Sequence, residues 1–196
     1  MLKHIPNILT IIRFLLIPII LIYIFTGNYI LALVVFTISA LTDIADGFIA
    51  RKFNLVSNFG KLMDPLADKL TQIATLTSLV IKDIIPIWIL IIVISKEFIM
   101  ICGASFLYGK DVVVYSKWYG KLSTVLLYIA IVFSLLTKQF ELTGIWEYID
   151  LTLFTLAIIM TLFALVMYIK DLYKKGFIDK QDLKKEVTVD KKEKKK

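Results

Sequence analysis

A single cysteine, Cys102, stands in this 196-residue sequence, so neither an intramolecular disulfide nor a cysteine-built zinc site is available. No small-residue cleavage site follows the first apolar block, Ile5 to Phe25, and that block is too long for the core of a signal peptide. No cleaved leader is expected. No internal repeat is evident, and one domain is expected at this length. No aromatic residue is interleaved with the lysines from Lys184 onward, which argues against a nucleic-acid surface.

Apolar residues are abundant. They make up 59% of the chain, against about 45–50% for a soluble domain, and the mean hydropathy is +0.82. They fall into blocks of about 20, the length a helix needs to cross a hydrocarbon core of roughly 30 Å. Six spans are predicted: Ile5–Phe25, Ile30–Ala50, Leu62–Ile81, Ile84–Tyr108, Leu122–Leu136 and Ile149–Ile169. Helix is the form in which each block satisfies its own backbone in lipid. The connections at Thr26–Tyr29 and Lys82–Asp83 are tight, and Pro86 suits the first turn of the fourth span. The expected fold is an all-α integral membrane protein of six transmembrane helices over residues 1–175, followed by a basic cytoplasmic tail at 176–196.

Charge orients the bundle. One side receives Lys3, then Arg51, Lys52 and Lys61, then Lys110, Lys117 and Lys121, then the tail; the opposite side receives Lys82 and Lys138. By the positive-inside rule both termini face the cytoplasm, in the cell membrane. The segment from Lys170 to Lys196 holds 11 Lys against six acids. It reads as a solvated anchor beside anionic lipid, with a short helix around Ile178 to Val187.

Four aspartates sit where an ionised carboxylate costs several kcal/mol unless paired or metal-bound: Asp43, Asp46, Asp64 and Asp68. Asp43, Asp46, Gly47 and Ala50 share one helical face, and Asp64 and Asp68 are i, i+4 on the next helix, whose polar stripe continues through Thr71, Gln72 and Thr75. An antiparallel pair joined by a loop of about a dozen residues brings the four carboxylates together at the cytoplasmic helix ends. Such a cluster raises its own pKa values or holds cations. Hard divalent ions such as Mg²⁺ suit oxygen ligands completed by substrate phosphates, and two of them form a clamp for displacement at phosphorus. Gly47, Ala50 and the loop residue Gly60 leave room for a ligand, and Arg51 offers a fork for a diphosphate. Other readings stand beside these. Asp64 before Pro65 also reads as a helix cap with a first-turn proline, and Asp43 also reads as a partner for Arg13 or Lys96.

The run Asp43-Ile-Ala-Asp46-Gly47-Phe-Ile-Ala50-Arg51, eight residues, then Gly60-Lys-Leu-Met-Asp64-Pro-Leu-Ala-Asp68 resembles the signature of the CDP-alcohol phosphotransferase family at all eight fixed positions and both gaps. The resemblance implies that Asp43, Asp46, Asp64 and Asp68 bind two divalent ions, Mg²⁺ or Mn²⁺. It implies that Asp68 is also the general base, that Gly47, Ala50, Arg51 and Gly60 wall the nucleotide site, and that the protein is a homodimer.

Within the family the opening Asn7-Ile-Leu-Thr10-Ile-Ile-Arg13, with Pro18, resembles the branch whose acceptor is glycerol 3-phosphate; Asn7, Thr10 and Arg13 would then help hold CDP. Asn7 and Thr10 also read as helix caps. Ser95-Lys96-Glu97-Phe98 and Gly120-Lys121-Leu122-Ser123-Thr124 are similar to two further segments of that branch, with Lys96 in place of Arg and Ser123 in place of Lys. The implied partners are CDP-diacylglycerol and glycerol 3-phosphate, with membrane lipid around the bundle and no nucleic acid. Lys96, Lys117 and Lys121 are candidates for the acceptor's phosphate. Lys117 and Lys121 equally read as positive-inside loop charges, and Lys96 as a partner of Glu97. Acceptors such as serine, inositol phosphate or phosphatidylglycerol define sister activities. A cation-coupled transporter is a different class, but it requires polar residues lining a path across the whole membrane, and here they gather on one side.

Overall fold

The computed structural model describes the backbone of residues 5–52, 58–108 and 118–193, and the side chains of 9–43, 63, 66–102 and 118–171. Among these residues the chain is all helix: α1 (Ile5–Phe25), α2 (Tyr29–Lys52), α3 (Asn58–Ile81), α4 (Ile87–Tyr108), α5 (Trp118–Gln139) and α6 (Ile145–Glu193). The six apolar blocks anticipated the six helices, and the differences lie at their ends.

Three helices stop in one way. At the end of α1, Asn28 N donates to Tyr23 O (2.9 Å) and Gly27 N to Ile24 O (3.2 Å), with Gly27 at φ 79°. This is the Schellman arrangement, in which a residue in the left-handed region lets two amides turn back onto the last carbonyls. The same pair of bonds ends α3, through Asp83 at φ 55°, and α5, through Glu141 at φ 49°. Neither is a glycine, so neither stop was signalled by composition.

Several boundaries correct the sequence reading; α5 (Trp118–Gln139) outruns the expected Leu122–Leu136 at both ends, and α6 starts at Ile145, four residues before the expected Ile149. Helix α4 begins at Ile87, because the Asp83 turn consumes residues 82–86, and Pro86 lies just ahead of it. Helix α3 begins at Asn58, so Gly60 stands in its first turn and not on a loop. Asp64 and Pro65 then lie inside the helix, which removes the reading of Asp64 as its cap. Helix α2 runs to Lys52 and α3 begins at Asn58, so both reach into the loop of about a dozen residues expected between them. Helix α6 runs unbroken to Glu193, so the expected short tail helix is its continuation.

Helix α1 packs against both α2 and α3, while α5 packs on α6 and α2, and α4 on α6 and α3. Among the described residues α2 and α3 touch only slightly; their inner faces meet across α1 and α5. Ile20, Ile24, Phe36, Leu76, Leu79, Ile89, Ile131, Leu135 and Phe154 fill the centre and are almost fully buried. The start of α2 is tied to the far end of α5, where Gln139 Oε1 accepts from Ile30 N at 2.9 Å. That bond satisfies one of the amides that every helix start leaves open. The outer surface is apolar: Leu15, Ile22, Ile91, Phe98, Val125, Ile159 and Val166 are all more than half exposed. Trp118–Gln139 and Ile145–Asp171 are long and apolar enough to cross a membrane, and Leu9–Phe25 and Tyr29–Asp43 are shorter apolar helices.

Candidate active site

The buried face of α3 rises Asp68, Thr71, Gln72, Thr75, Ser78, the stripe expected from helical spacing. Its lower part faces α2 across a narrow crevice lined by Arg13, Phe36, Ser39, Asp43, Asp68 and Tyr128, with Ala40 and Thr71 between them. The two carboxylates, one from each half of the motif, therefore open onto the same space. Arg13, 1% exposed, reaches Asp43 Oδ1 through Nη1 at 2.9 Å. That is the ion pair raised as an alternative reading for both residues. Asp43 keeps 40% of its side chain exposed and lines the crevice. Tyr128 of α5 donates its hydroxyl to Asp68 Oδ1.

The crevice sits midway along the helices, not at their ends as expected, because α2 runs nine residues past Asp43 and α3 starts ten residues before Asp68. At about 1.5 Å per residue the helix ends lie roughly 13–15 Å away. Asp46, Gly47, Ala50, Arg51, Gly60 and Asp64 fall on those extensions, where the backbone is helical and the side chains lie outside the described residues. Asn7 is in the same position in α1, and Lys117 lies outside the described residues altogether. Among the described side chains no three acidic, histidine or cysteine groups converge. The donor set does fit a hard divalent ion: Asp43 and Asp68 present carboxylate oxygen into one crevice, and the helical spacing carries Asp46 and Asp64 toward the same end of the pair. Thr10, fully buried, lies one turn before Arg13 on α1.

A second group of charges adjoins the first. Lys69 Nζ lies 3.9 Å from Asp68 Oδ2 and 3.0 Å from Glu97 Oε1, and Lys96 Nζ lies 2.6 Å from the same Glu97 oxygen. Lys96 and Glu97 are both 6% exposed. Lys96 thus keeps the Glu97 pairing foreseen as its structural role, and also lines a second crevice between α3, α4, α5 and α6. Lys121 is exposed and lines neither crevice. Ser123, at a position of expected charge, spends its hydroxyl on Gly120 O at 2.8 Å.

Sequence reasoning passed over Lys69 and Tyr128. For Lys69 a signal existed, since a lysine directly after Asp68 at the same depth is as costly as the aspartates and calls for a partner. Tyr128 had none, because which face of α5 looks toward α3 is set by packing.

An all-helical bundle that opens acidic residues of two helices onto one crevice, beside buried cations, is a frame for handling phosphate groups through metal and charge. Residues 3–169 match the family model described as CDP-alcohol phosphatidyltransferase, and the chain belongs to that family. It is similar to a Bacillus subtilis (strain 168) protein named CDP-diacylglycerol–glycerol-3-phosphate 3-phosphatidyltransferase, 46% identical over 91 residues, 46% of this chain and 47% of the relative. A Rickettsia felis protein of the same name is 38% identical over 101 residues, 50% of this chain and 56% of the relative. In both comparisons the chain spans about half the length of the relative. A third of that name, from Shigella flexneri serotype 5b (strain 8401), is 30% identical over 175 residues, 85% of this chain and 93% of the relative.

Proposed function

We propose that this chain is a six-span enzyme of the cell membrane, with both termini and the active site on the cytoplasmic side. It transfers the phosphatidyl group of CDP-diacylglycerol to sn-glycerol 3-phosphate, giving phosphatidylglycerophosphate and CMP. The observation that carries this reading is the crevice into which Asp43 and Asp68 both open. The names of the relatives support the acceptor, and the apolar outer surface supports lipid around the bundle, since a soluble monomer rarely exposes so much. The resemblance adds a homodimer.

The chemistry follows from the residues. Asp68 takes the proton of the acceptor's primary hydroxyl through Oδ2, because Oδ1 is occupied by the Tyr128 hydroxyl. The oxygen attacks the lipid-bearing phosphorus, and the bond from that phosphorus to the oxygen of CMP breaks. Arg13 holds Asp43 in place from the core side. Asp43, Asp46, Asp64 and Asp68 would hold divalent ions, Mg²⁺ or Mn²⁺, which when bound neutralise charge on the diphosphate. Arg51, with Asn7, Thr10, Gly47, Ala50 and Gly60, holds the CDP moiety at the same end of the bundle. Lys96 meets the acceptor's phosphate.

The test is purified protein in detergent with CDP-diacylglycerol and separate acceptors: glycerol 3-phosphate, serine, inositol phosphate and phosphatidylglycerol. CMP release is expected with the first alone and is abolished in Asp46→Asn and Asp64→Asn. Turnover with serine in its place would assign a sister activity, and CMP release unaffected by either substitution would remove the aspartates from the mechanism.

A further inference from the structure

On the buried face of α3 each hydroxyl finds a partner within its own helix. Thr71 donates to Ala67 O (2.9 Å), Thr75 to Thr71 O (2.8 Å) and Ser78 to Thr75 O (2.7 Å). Gln72, in the same stripe and 2% exposed, differs: its Oε1 is buried with no hydrogen-bond partner. Buried polar atoms are nearly always satisfied, and one that is not asks for an explanation. Gln72 lines the second crevice, with Lys96, Glu97, Ser123 and Thr124 around it. The hydroxyls of Ser123 and Thr124 both donate to Gly120 O, at 2.8 and 3.2 Å, and so cannot also donate to Gln72. The crevice therefore offers an oxygen that can only accept, beside a Lys69–Glu97–Lys96 trio of net charge +1. A ligand that suits it donates a hydroxyl at one point and carries an anion at another.

Asp68 lies one helical turn from Gln72 on the same face, with about 5–6 Å between Cβ atoms. Two neighbouring hydroxyls, each about 2.7–2.8 Å from its acceptor, can bridge such a pair. We propose that Gln72 Oε1 accepts the hydroxyl adjacent to the attacking one, making Gln72 the residue that selects a vicinal-diol phosphate as acceptor. This rests on the reading of glycerol 3-phosphate as acceptor and adds to it the means of telling a diol from a simple alcohol. The attacking hydroxyl lies on Asp68, its neighbour on Gln72, and the phosphate extends toward Lys96.

The test compares sn-glycerol 3-phosphate with 3-hydroxypropyl phosphate, which lacks the middle hydroxyl, in the full-length protein with CDP-diacylglycerol. The native enzyme should prefer the diol by at least about 10-fold in kcat/KM, the scale of one lost hydrogen bond to a buried polar group. Gln72→Leu should lower kcat/KM for glycerol 3-phosphate by about that factor, leave the deoxy compound within roughly threefold, and leave KM for CDP-diacylglycerol unchanged. Gln72→Glu, which keeps an accepting oxygen, should retain the preference. An equal loss on both acceptors in Gln72→Leu makes Gln72 a packing residue and overturns the proposal. Should that variant fail to fold, the native protein still decides, since equal use of the two acceptors overturns it as well. CMP release with serine and none with glycerol 3-phosphate would instead overturn the reading of the acceptor itself, and this inference with it.

Discussion

Tyr128 on α5 donates its phenolic hydroxyl to Asp68 Oδ1 on α3, sixty residues earlier in the chain. The ring is held edge-on against Phe36 of α2, with centroids 5.2 Å apart and planes at 71°. Three helices thereby fix one carboxylate oxygen, while the other lies 3.9 Å from Lys69 Nζ. A base must lie within hydrogen-bond reach of the proton it takes, so the orientation of Asp68 is worth rate.

Tyr128→Phe keeps the ring and its packing on Phe36 and removes only the hydroxyl. A hydrogen bond to a charged group contributes about 1.5–3 kcal/mol, or about 10- to 150-fold. We expect kcat for CMP release to fall within that range, with KM for CDP-diacylglycerol and the melting temperature nearly unchanged. Steady-state kinetics with thermal melts in detergent check this. A variant with native kcat would show that the hydroxyl does not orient the base.

Asp43 and Asp68 should part company in stability while agreeing in activity. Asp43→Asn leaves the Arg13 guanidinium, 1% exposed, facing a neutral amide. Losing one charge of a fully buried pair costs about 3–5 kcal/mol, and the 40% exposure of Asp43 brings this down to about 1–2. Asp68→Asn strands no buried cation, because Lys69 retains Glu97 at 3.0 Å. Its loss of turnover should reach at least about 10²–10⁴-fold, the range for removing a general base. Melting curves and CMP release on the two variants separate the roles; equal destabilisation would place the Arg13 pair outside the stability of the bundle.

Glu97 is the pivot of the second charge group, with a lysine at 2.6 Å and another at 3.0 Å on one oxygen. Glu97→Ala leaves Lys96 buried without its carboxylate, and a loss of about 3–5 kcal/mol is expected. Lys69→Ala should cost less than about 1 kcal/mol, because its side chain already reaches solvent. Thermal denaturation in detergent ranks the two, and the reverse order would mean that Lys96 is held by something other than Glu97.

The six helices of the described residues were legible because the sequence carries six apolar blocks, each long enough to form helix turns that satisfy their own backbone. The eight-position motif carried the family, which the match over residues 3–169 bears out. Helix ends were less legible. The stops at Asp83 and Glu141 use left-handed residues that are not glycine, and the start at Asn58 extends the helix through a proline. The partnership of Arg13 and Asp43 could be named as an option, since a buried charge demands a partner, yet only the packing of α1 on α2 chose it over Lys96. Tyr128 and the orphaned Gln72 oxygen were out of reach, because both depend on which helix faces meet and not on residue type.

The cations near the acceptor give the last prediction. Lys96, Lys117 and Lys121 were equal candidates by charge and side. The structure separates two of them: Lys96 is 6% exposed and lines the crevice one turn from Asp68 on α3, whereas Lys121 is exposed on the outside of α5. A phosphate held in a dry crevice gains more from a cation than one in water, where charge is screened. Removing the buried lysine should therefore cost about 10- to 150-fold in kcat/KM for glycerol 3-phosphate, the scale of a charged hydrogen bond. Lys96→Met is the suitable change, because it keeps the length of the side chain and leaves Glu97 its bond to Lys69 at 3.0 Å. Lys121→Ala should change the same constant by less than about threefold, and that small effect should vanish in high salt. The dissociation constant for CDP-diacylglycerol should move in neither variant. If Lys121→Ala is the costly one and Lys96→Met is mild, the phosphate is held at the mouth of α5 and Lys96 serves only to neutralise Glu97.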